Sequence, residues 1–215
     1  MDHNAFGEDT GVSKVMFWKG EDNMDFAAKV SHLQHLVETM AGSWVSRWNG
    51  SVHFKKKKDN IGESGEQRLR SLGLPESNKV YFISLSDLPE RVFVVDDKEE
   101  ISEVSTTIEE AATKANLYMS RVRLKIEGQT YQCGDFIINI GSCVMGSTLK
   151  NIALEISYSP FLQLNSGLNV INDFLEGVGE MDNFQEAHQW HENAPETFTQ
   201  HSRISQFKSL FSKLL

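Results

Sequence analysis

His188 and His191 stand three residues apart with Glu192 beside them, the residue types from which a zinc site is built. The flanking EAHQWHENAPE has no helical period, and spacing places no third ligand, so the pattern falls short of a metal motif. A tunnel-type metal hydrolase would need several carboxylates on alternate positions of one strand. The late apolar segments Phe136 to Ile140 and Ile152 to Tyr158 offer the single acid Glu155. Gly62-Glu63-Ser64-Gly65 only resembles the Gly-x-Ser-x-Gly elbow that presents a nucleophilic serine. Neither a phosphate-cradling GxxxxGK[ST] nor a GxGxxG is present. Cys133 and Cys143 form no CxxC pair and read as small core or surface residues in a reducing compartment. The residues therefore predict no catalytic group, no cofactor and no metal.

Charge is the next constraint. The chain of 215 residues has a formal net charge of -9. From Asn151 to Ser202 there is no Lys or Arg, while Glu155, Asp173, Glu176, Glu180, Asp182, Glu186, Glu192 and Glu196 fall in the same stretch. Phosphate contacts need concentrated cations, so direct nucleic-acid binding is not expected. An acidic surface facing a basic partner is the functional reading of this stretch. Lys55 to Lys58 could be an import signal or an anion patch, but reads as a solvated loop run beside Asp59. The row Arg121, Arg123 and Lys125 reads as a wet sheet face that could receive an acidic segment. Apolar runs are a few residues long, far below the roughly 20 needed to span a bilayer, and the acidic N-terminus is not a secretory signal.

The elements that must carry these residues follow from period and punctuation. Val12 to Trp18 predicts a strand. Asp25 to Val37 predicts a helix capped by Asp25, with Phe26, Val30, Leu33 and Val37 on one face. Ser43 to Trp48 and Val52 to Phe54 read as a hairpin around Asn49-Gly50. Lys55 to Asn78 reads as a long loop. Val80 to Leu85 and Arg91 to Val95 predict a second hairpin. A helix follows from Ser105 to Leu117, with Thr106 and Glu109 matching a capping box. Arg121 to Ile126 alternates as a strand with one wet side. Gly134, Gly141 and Gly146 punctuate sheet up to the alternating strand Ile152 to Tyr158. Leu168 to Val178 is a helix that stops at Gly179, Glu180 to Gln200 is a loop, and Ile204, Phe207, Leu210, Phe211 and Leu214 mark a final amphipathic helix. Trp44 and Trp48 share strand parity and are assigned to the core. Trp190 lies in a polar loop, where an aromatic marks a contact with another protein or with the barrel wall.

The pattern predicts an α+β fold, predominantly antiparallel β, arranged as a closed or nearly closed β-barrel with packed helices. Residues 1–10 read as a disordered extension. Residues 11–215 read as one barrel domain with a long loop at 55–78 and C-terminal helices at 168–178 and 202–214.

Tyr131, Asp135-Phe136, Gly141, Met145-Gly146 and the strand carrying Glu155, Tyr158 and Pro160 resemble the signature region of the Mediator complex subunit 20 family, also called TATA-related-factor-proximal. The order of parts agrees on both sides: the hairpin Lys79 to Asp96 and the helix from Thr107 upstream, and Gln206-Phe207 and Leu210-Phe211 in the last helix downstream. The resemblance covers Gly11 to Leu215. The Lys-rich loop and the stretch before Gly11 depart from it, which marks a divergent, fungal member. The resemblance implies a non-enzymatic, nuclear subunit of the Mediator head module. It implies an antiparallel barrel that pairs with Mediator subunit 18 and joins the head through subunit 8, relaying signals to RNA polymerase II. Candidate partner-binding residues are Asp135, Phe136, Gly141 and Met145, where the motif is densest, and Trp190; neither nucleic acid nor membrane is an expected partner. The alternatives are a barrel phosphohydrolase working inside its tunnel and a small-ligand-binding barrel of lipocalin type. An interior filled by Ile138, Ile140 and Leu154 speaks against both.

Overall fold

A computed structural model describes residues 11–19, 25–179, 181–190 and 195–215. In chain order the elements are β1 (Val12–Trp18), α1 (Phe26–Thr39), β2 (Ser43–Lys57), α2 (Gly62–Ser71), β3 (Lys79–Leu85), β4 (Arg91–Asp96), β5 (Ile101–Ser105), α3 (Thr106–Lys114), β6 (Tyr118–Cys133), β7 (Phe136–Met145), β8 (Thr148–Tyr158), α4 (Leu164–Val178), β9 (Phe184–Glu186) and α5 (Gln200–Leu214). The described strands form one antiparallel sheet in the order β5-β4-β3-β2-β6-β7-β8-β1-β9. The α+β class holds, but the expected barrel closure is not confirmed, because among the described residues this order has two ends. One end, β5, runs straight into α3 and the other, β9, is 3 residues long. The extension expected at residues 1–10 lies outside the described residues.

Several local expectations change because long-range pairing overrides local signals. Asn49-Gly50 makes no turn. Gly50 lies opposite Leu85 inside β2 and lacks the positive φ that a two-residue hairpin turn needs. The expected loop at 55–78 instead contains the end of β2 and the whole of α2. The loop expected from Glu180 contains β9, which pairs with the end of β1. Ser105, not Thr106, caps α3. Trp48 is buried beside Phe207, at 6.3 Å between ring centroids, whereas Trp44 is 59% exposed. The covering side chains reach the second of this pair and not the first. Asp25 does cap α1, accepting from the Ala27 and Ala28 amides.

The described residues divide into two compact units. The first comprises the residues up to Trp48, Glu127–Cys143 and Lys150 onward. Its apolar cluster joins Val12, Met16, Ile138, Ile140, Ile152, Leu154 and Ile156 from strands to Leu33, Val37, Leu164, Ile171 and Leu175 from helices. Burying such side chains contributes about 1.5–3 kcal/mol each. A polar thread runs through the same unit. Glu155 on β8 is fully buried, and Arg203 on α5 grips it from Nε at 2.6 Å and Nη2 at 2.9 Å. Asn139 on β7 donates to the same carboxylate at 2.8 Å, and its own amide oxygen accepts from Thr130 on β6 at 2.7 Å. One turn beyond Arg203, Gln206 continues where β9 stops. Its Oε1 accepts from the Val15 amide at 2.8 Å and its Nε2 donates to the Ser13 carbonyl at 3.0 Å. Lys14, 5% exposed, donates to Asn172 and pairs with Glu186, both at 2.6 Å. Gly128 marks a close approach, since a Cβ there would lie 2.0 Å from the Ile140 carbonyl oxygen.

The second unit comprises Asn49–Ile126 and Val144–Leu149. Val80 and Phe82 of β3, Val92 and Val94 of β4, Leu69 of α2 and Ala112 of α3 share its apolar cluster. The lysine run is therefore not a solvated loop. Lys55 is 4% exposed, lies over the Phe82 ring and reaches Glu109 of α3 at 3.0 Å. His53 Nδ1 lies 2.7 Å from the same carboxylate oxygen. Lys57 pairs with Glu66 at 3.8 Å, and Lys58 bonds Asn116. Glu109 thus serves the sheet instead of the capping box expected of it. Burial pushes its carboxyl up, but hydrogen bonds from His53 and Lys55 outweigh that and hold it at about 2.

Three outcomes are expected. Arg203→Met strands a buried carboxylate and lowers stability by about 3–5 kcal/mol in urea titrations. Adding Glu155→Gln removes the stranded charge and recovers part of that loss. Gly128→Ala forces the backbone of β6 away from β7 and costs roughly 1–3 kcal/mol by the same measurement. Glu109 has a depressed folded pKa, so its contribution is complete above the unfolded value near 4.3 and is lost as pH falls toward about 2. Denaturation midpoints should therefore fall across that acid window, and less steeply in Glu109→Gln.

Candidate partner-binding surface

The β6–β7 turn at Gly134-Asp135 delivers Phe136 as the first residue of β7. The neighbouring strand β8 ends at Tyr158, and Pro160-Phe161-Leu162 leads the chain on toward α4. These positions bring four rings into a row within the first unit. Phe174 of α4 stacks on Phe136 at 4.3 Å, Phe136 meets Tyr158 at 4.9 Å, and Tyr158 meets Phe161 at 5.6 Å. Phe136, Tyr158 and Phe174 pack against the apolar cluster with one side and stay half-buried. Phe161 is 42% and Leu162 is 40% exposed. Their backbones are held, since the Phe161 carbonyl accepts from Val12 at 3.0 Å and the Leu162 carbonyl from Phe198 at 2.7 Å. A row of rigid aromatics with one wet side is the kind of surface that anchors protein contacts.

The predicted site residues separate. Asp135 is exposed in the turn beside Phe136, so these two stand together. Gly141 is buried in β7 and presents no side chain. Met145 is half-buried and belongs to the second unit. Trp190 is half-buried against the first unit's apolar cluster, edge-on to Phe198 at 6.3 Å and to His188 at 4.6 Å. Trp190 thus packs on its own chain with one side, as Phe136 does. Phe161 and Leu162 are not singled out by the sequence, and Phe174 reads there only as an inward residue of its helix. Phe161-Leu162 left a signal, an apolar pair just past the proline that ends a strand. Phe174 left none, because its helical period is that of a core residue.

The candidate chemistry also resolves. Glu155 is a partner of Arg203 and Asn139, and Ile138, Ile140 and Leu154 lie in the apolar cluster. This arrangement does not favour a charged tunnel or an open apolar cavity in the first unit. Ser64 sits in the first turn of α2. In the second unit Lys58, Asn60, Ser64 and Arg68 help to line a cavity of about 420 Å3 whose lining includes no histidine or carboxylate. Both cysteines are free; burial pushes the Cys143 thiol up to about 12, which keeps it protonated and inert. His188 Nδ1 lies 2.9 Å from Ser209 Oγ, and the other two members of the candidate zinc set, His191 and Glu192, lie outside the described residues. Among the described residues no three His, Cys, Asp or Glu side chains converge, and no helix is long and apolar enough to cross a membrane.

Comparison with known proteins agrees with the resemblance. A family model described as the TATA-binding related factor (TRF) of subunit 20 of Mediator complex matches residues 10–212. Mediator of RNA polymerase II transcription subunit 20b of Arabidopsis thaliana is 20% identical over 171 residues, 77% of this chain and 74% of that one. Mediator of RNA polymerase II transcription subunit 20 of Anopheles gambiae is 37% identical over 65 residues, 29% of this chain and 30% of that one. Among solved structures, the Schizosaccharomyces pombe Mediator head module contains a chain that overlaps with a TM-score of 0.37 at 8% identity, covering 79% of this chain and 92% of that one. The family match spans nearly the whole sequence, and on that ground the chain belongs to the Mediator subunit 20 family, a non-enzymatic component of a transcription coregulator.

Proposed function

We propose that this chain is a docking subunit of the Mediator head module in the nucleus. It pairs with the subunit 18 homologue, reaches the rest of the head through subunit 8, and passes regulatory signals to RNA polymerase II and its initiation factors by contact alone. Family membership supports the assembly. The observation that carries the docking reading is the row of four rings that the first unit leaves half-covered. Side chains of this kind dominate binding when a partner removes their remaining surface from water. The row would be the centre of a larger contact, because a stable pair buries at least about 1,200 Å2 in total. The buried charges described in the first unit are committed to its own fold, with Arg203 on Glu155 and Lys14 on Glu186. Specific contact with a partner therefore rests on apolar area and on the remaining exposed acids.

Co-expression with the subunit 18 homologue of the same organism should yield a one-to-one complex by size exclusion with light scattering. A soluble chain that elutes alone in the presence of that partner would overturn the reading.

A further inference from the structure

The aromatic row is bracketed by acids. Asp135 precedes Phe136 and Asp173 precedes Phe174, and both are exposed. At the other end, Leu164 lies two residues past Leu162 and its amide donates to the Glu196 carbonyl at 3.0 Å, and Glu196 is also exposed. The two buried bases of this unit are already committed. No Lys or Arg occurs from Asn151 to Ser202, Arg203 is buried on Glu155, and Lys14 is buried against Asn172 and Glu186. An apolar row with carboxylates at both ends selects its occupant by charge as well as by shape.

From this juxtaposition we infer that the row Phe174–Phe136–Tyr158–Phe161, with Leu162, binds a partner segment of one chemistry: apolar side chains in succession, flanked on both sides by Lys or Arg. The inference rests on the docking role proposed above and names the surface and the kind of segment that docking uses. The rings supply the anchor. Burying their exposed sides removes apolar area from water, and ring-to-side-chain contacts add to it. The flanking acids set register and speed encounter with a basic segment, and they repel an acidic competitor. Phe161 and Leu162 extend beyond the cluster and are the first groups that such a segment meets.

The test uses the full chain and the same organism's subunit 18 homologue as the probe, with Kd measured by calorimetry. Two variants separate the parts of the claim. Phe161→Ser/Leu162→Ser removes exposed apolar surface, and Asp135→Lys/Asp173→Lys/Glu196→Lys reverses the bracketing charge. Glu63→Lys/Glu90→Lys/Asp97→Lys, in the second unit, controls for the change in net charge. All are at exposed positions, and unchanged circular dichroism melting confirms that they fold. Each of the first two variants is expected to weaken binding at least tenfold, and the control less than twofold. Raising salt from about 0.1 to 0.5 M should weaken the unmodified pair more than the charge-reversed one.

If the unmodified pair forms but both variants bind like it, the row is not the docking surface, and the docking role itself stands. Loss with the serine variant alone would overturn the basic-segment claim. Equal loss with the charge control would do the same. If the unmodified pair does not form at all, the docking role and this inference fall together.

Discussion

A carboxylate with no exposure to water organises the first unit. Glu155 faces away from solvent on β8, where an unpartnered charge would cost several kcal/mol. Its position therefore demands a cation from an element packed on that side of the sheet. The chain supplies it at Arg203, the first basic residue after the long acidic stretch. The consequences spread along α5. With Arg203 fixed, Gln206 falls one turn later against β1, and it meets backbone groups that the short strand β9 does not reach. Asn139 and Thr130 carry the same network back through β7 and β6. One carboxylate thus ties three strands and the last helix into a single register.

The second unit repeats the device with less burial. Glu109 collects His53 and Lys55 and so draws α3 against the sheet. Here the carboxylate keeps some contact with water, and the strength of its hydrogen bonds shows in a carboxyl held far below the ordinary range. In both units the charged residues that sequence reading takes for surface or site are instead joints of the fold. This alters the picture of the acidic stretch. Glu155 is an internal partner and Glu186 is paired with Lys14, so the unpaired acidity open to a partner includes residues such as Asp173, Asp182 and Glu196.

For a family that works by assembly, that allocation has a consequence. Polar groups hold the fold, while a set of aromatic side chains is left with one side open. Membership in the Mediator subunit 20 family and the half-covered row are independent observations. The family says that partners exist; the row gives a place where apolar area remains for one of them.

Period and capping determined much of the fold from the sequence by themselves. β1, the hairpin of β3 and β4, the wet face of β6, α1 with its Asp25 cap and the stop of α4 at Gly179 were all legible, because each depends on residues within one or two turns of itself. The family was legible too, through the order of several weak motifs. What local signals could not decide was left to tertiary structure. Asn49-Gly50 prefers a turn, yet seven successive pairs between β2 and β3 hold the strand straight. Glu155 and Arg203 are 48 residues apart, and nothing local says that they meet. The row of rings likewise draws on two strands, a connecting segment and a helix, so it exists only once these are packed. Of the motif residues proposed for contact, Asp135 and Phe136 lie at that surface, while Gly141 is buried in β7 and Met145 belongs to the other unit. A motif reports which residues matter to the fold or its contacts; burial, a non-local property, sorts one from the other.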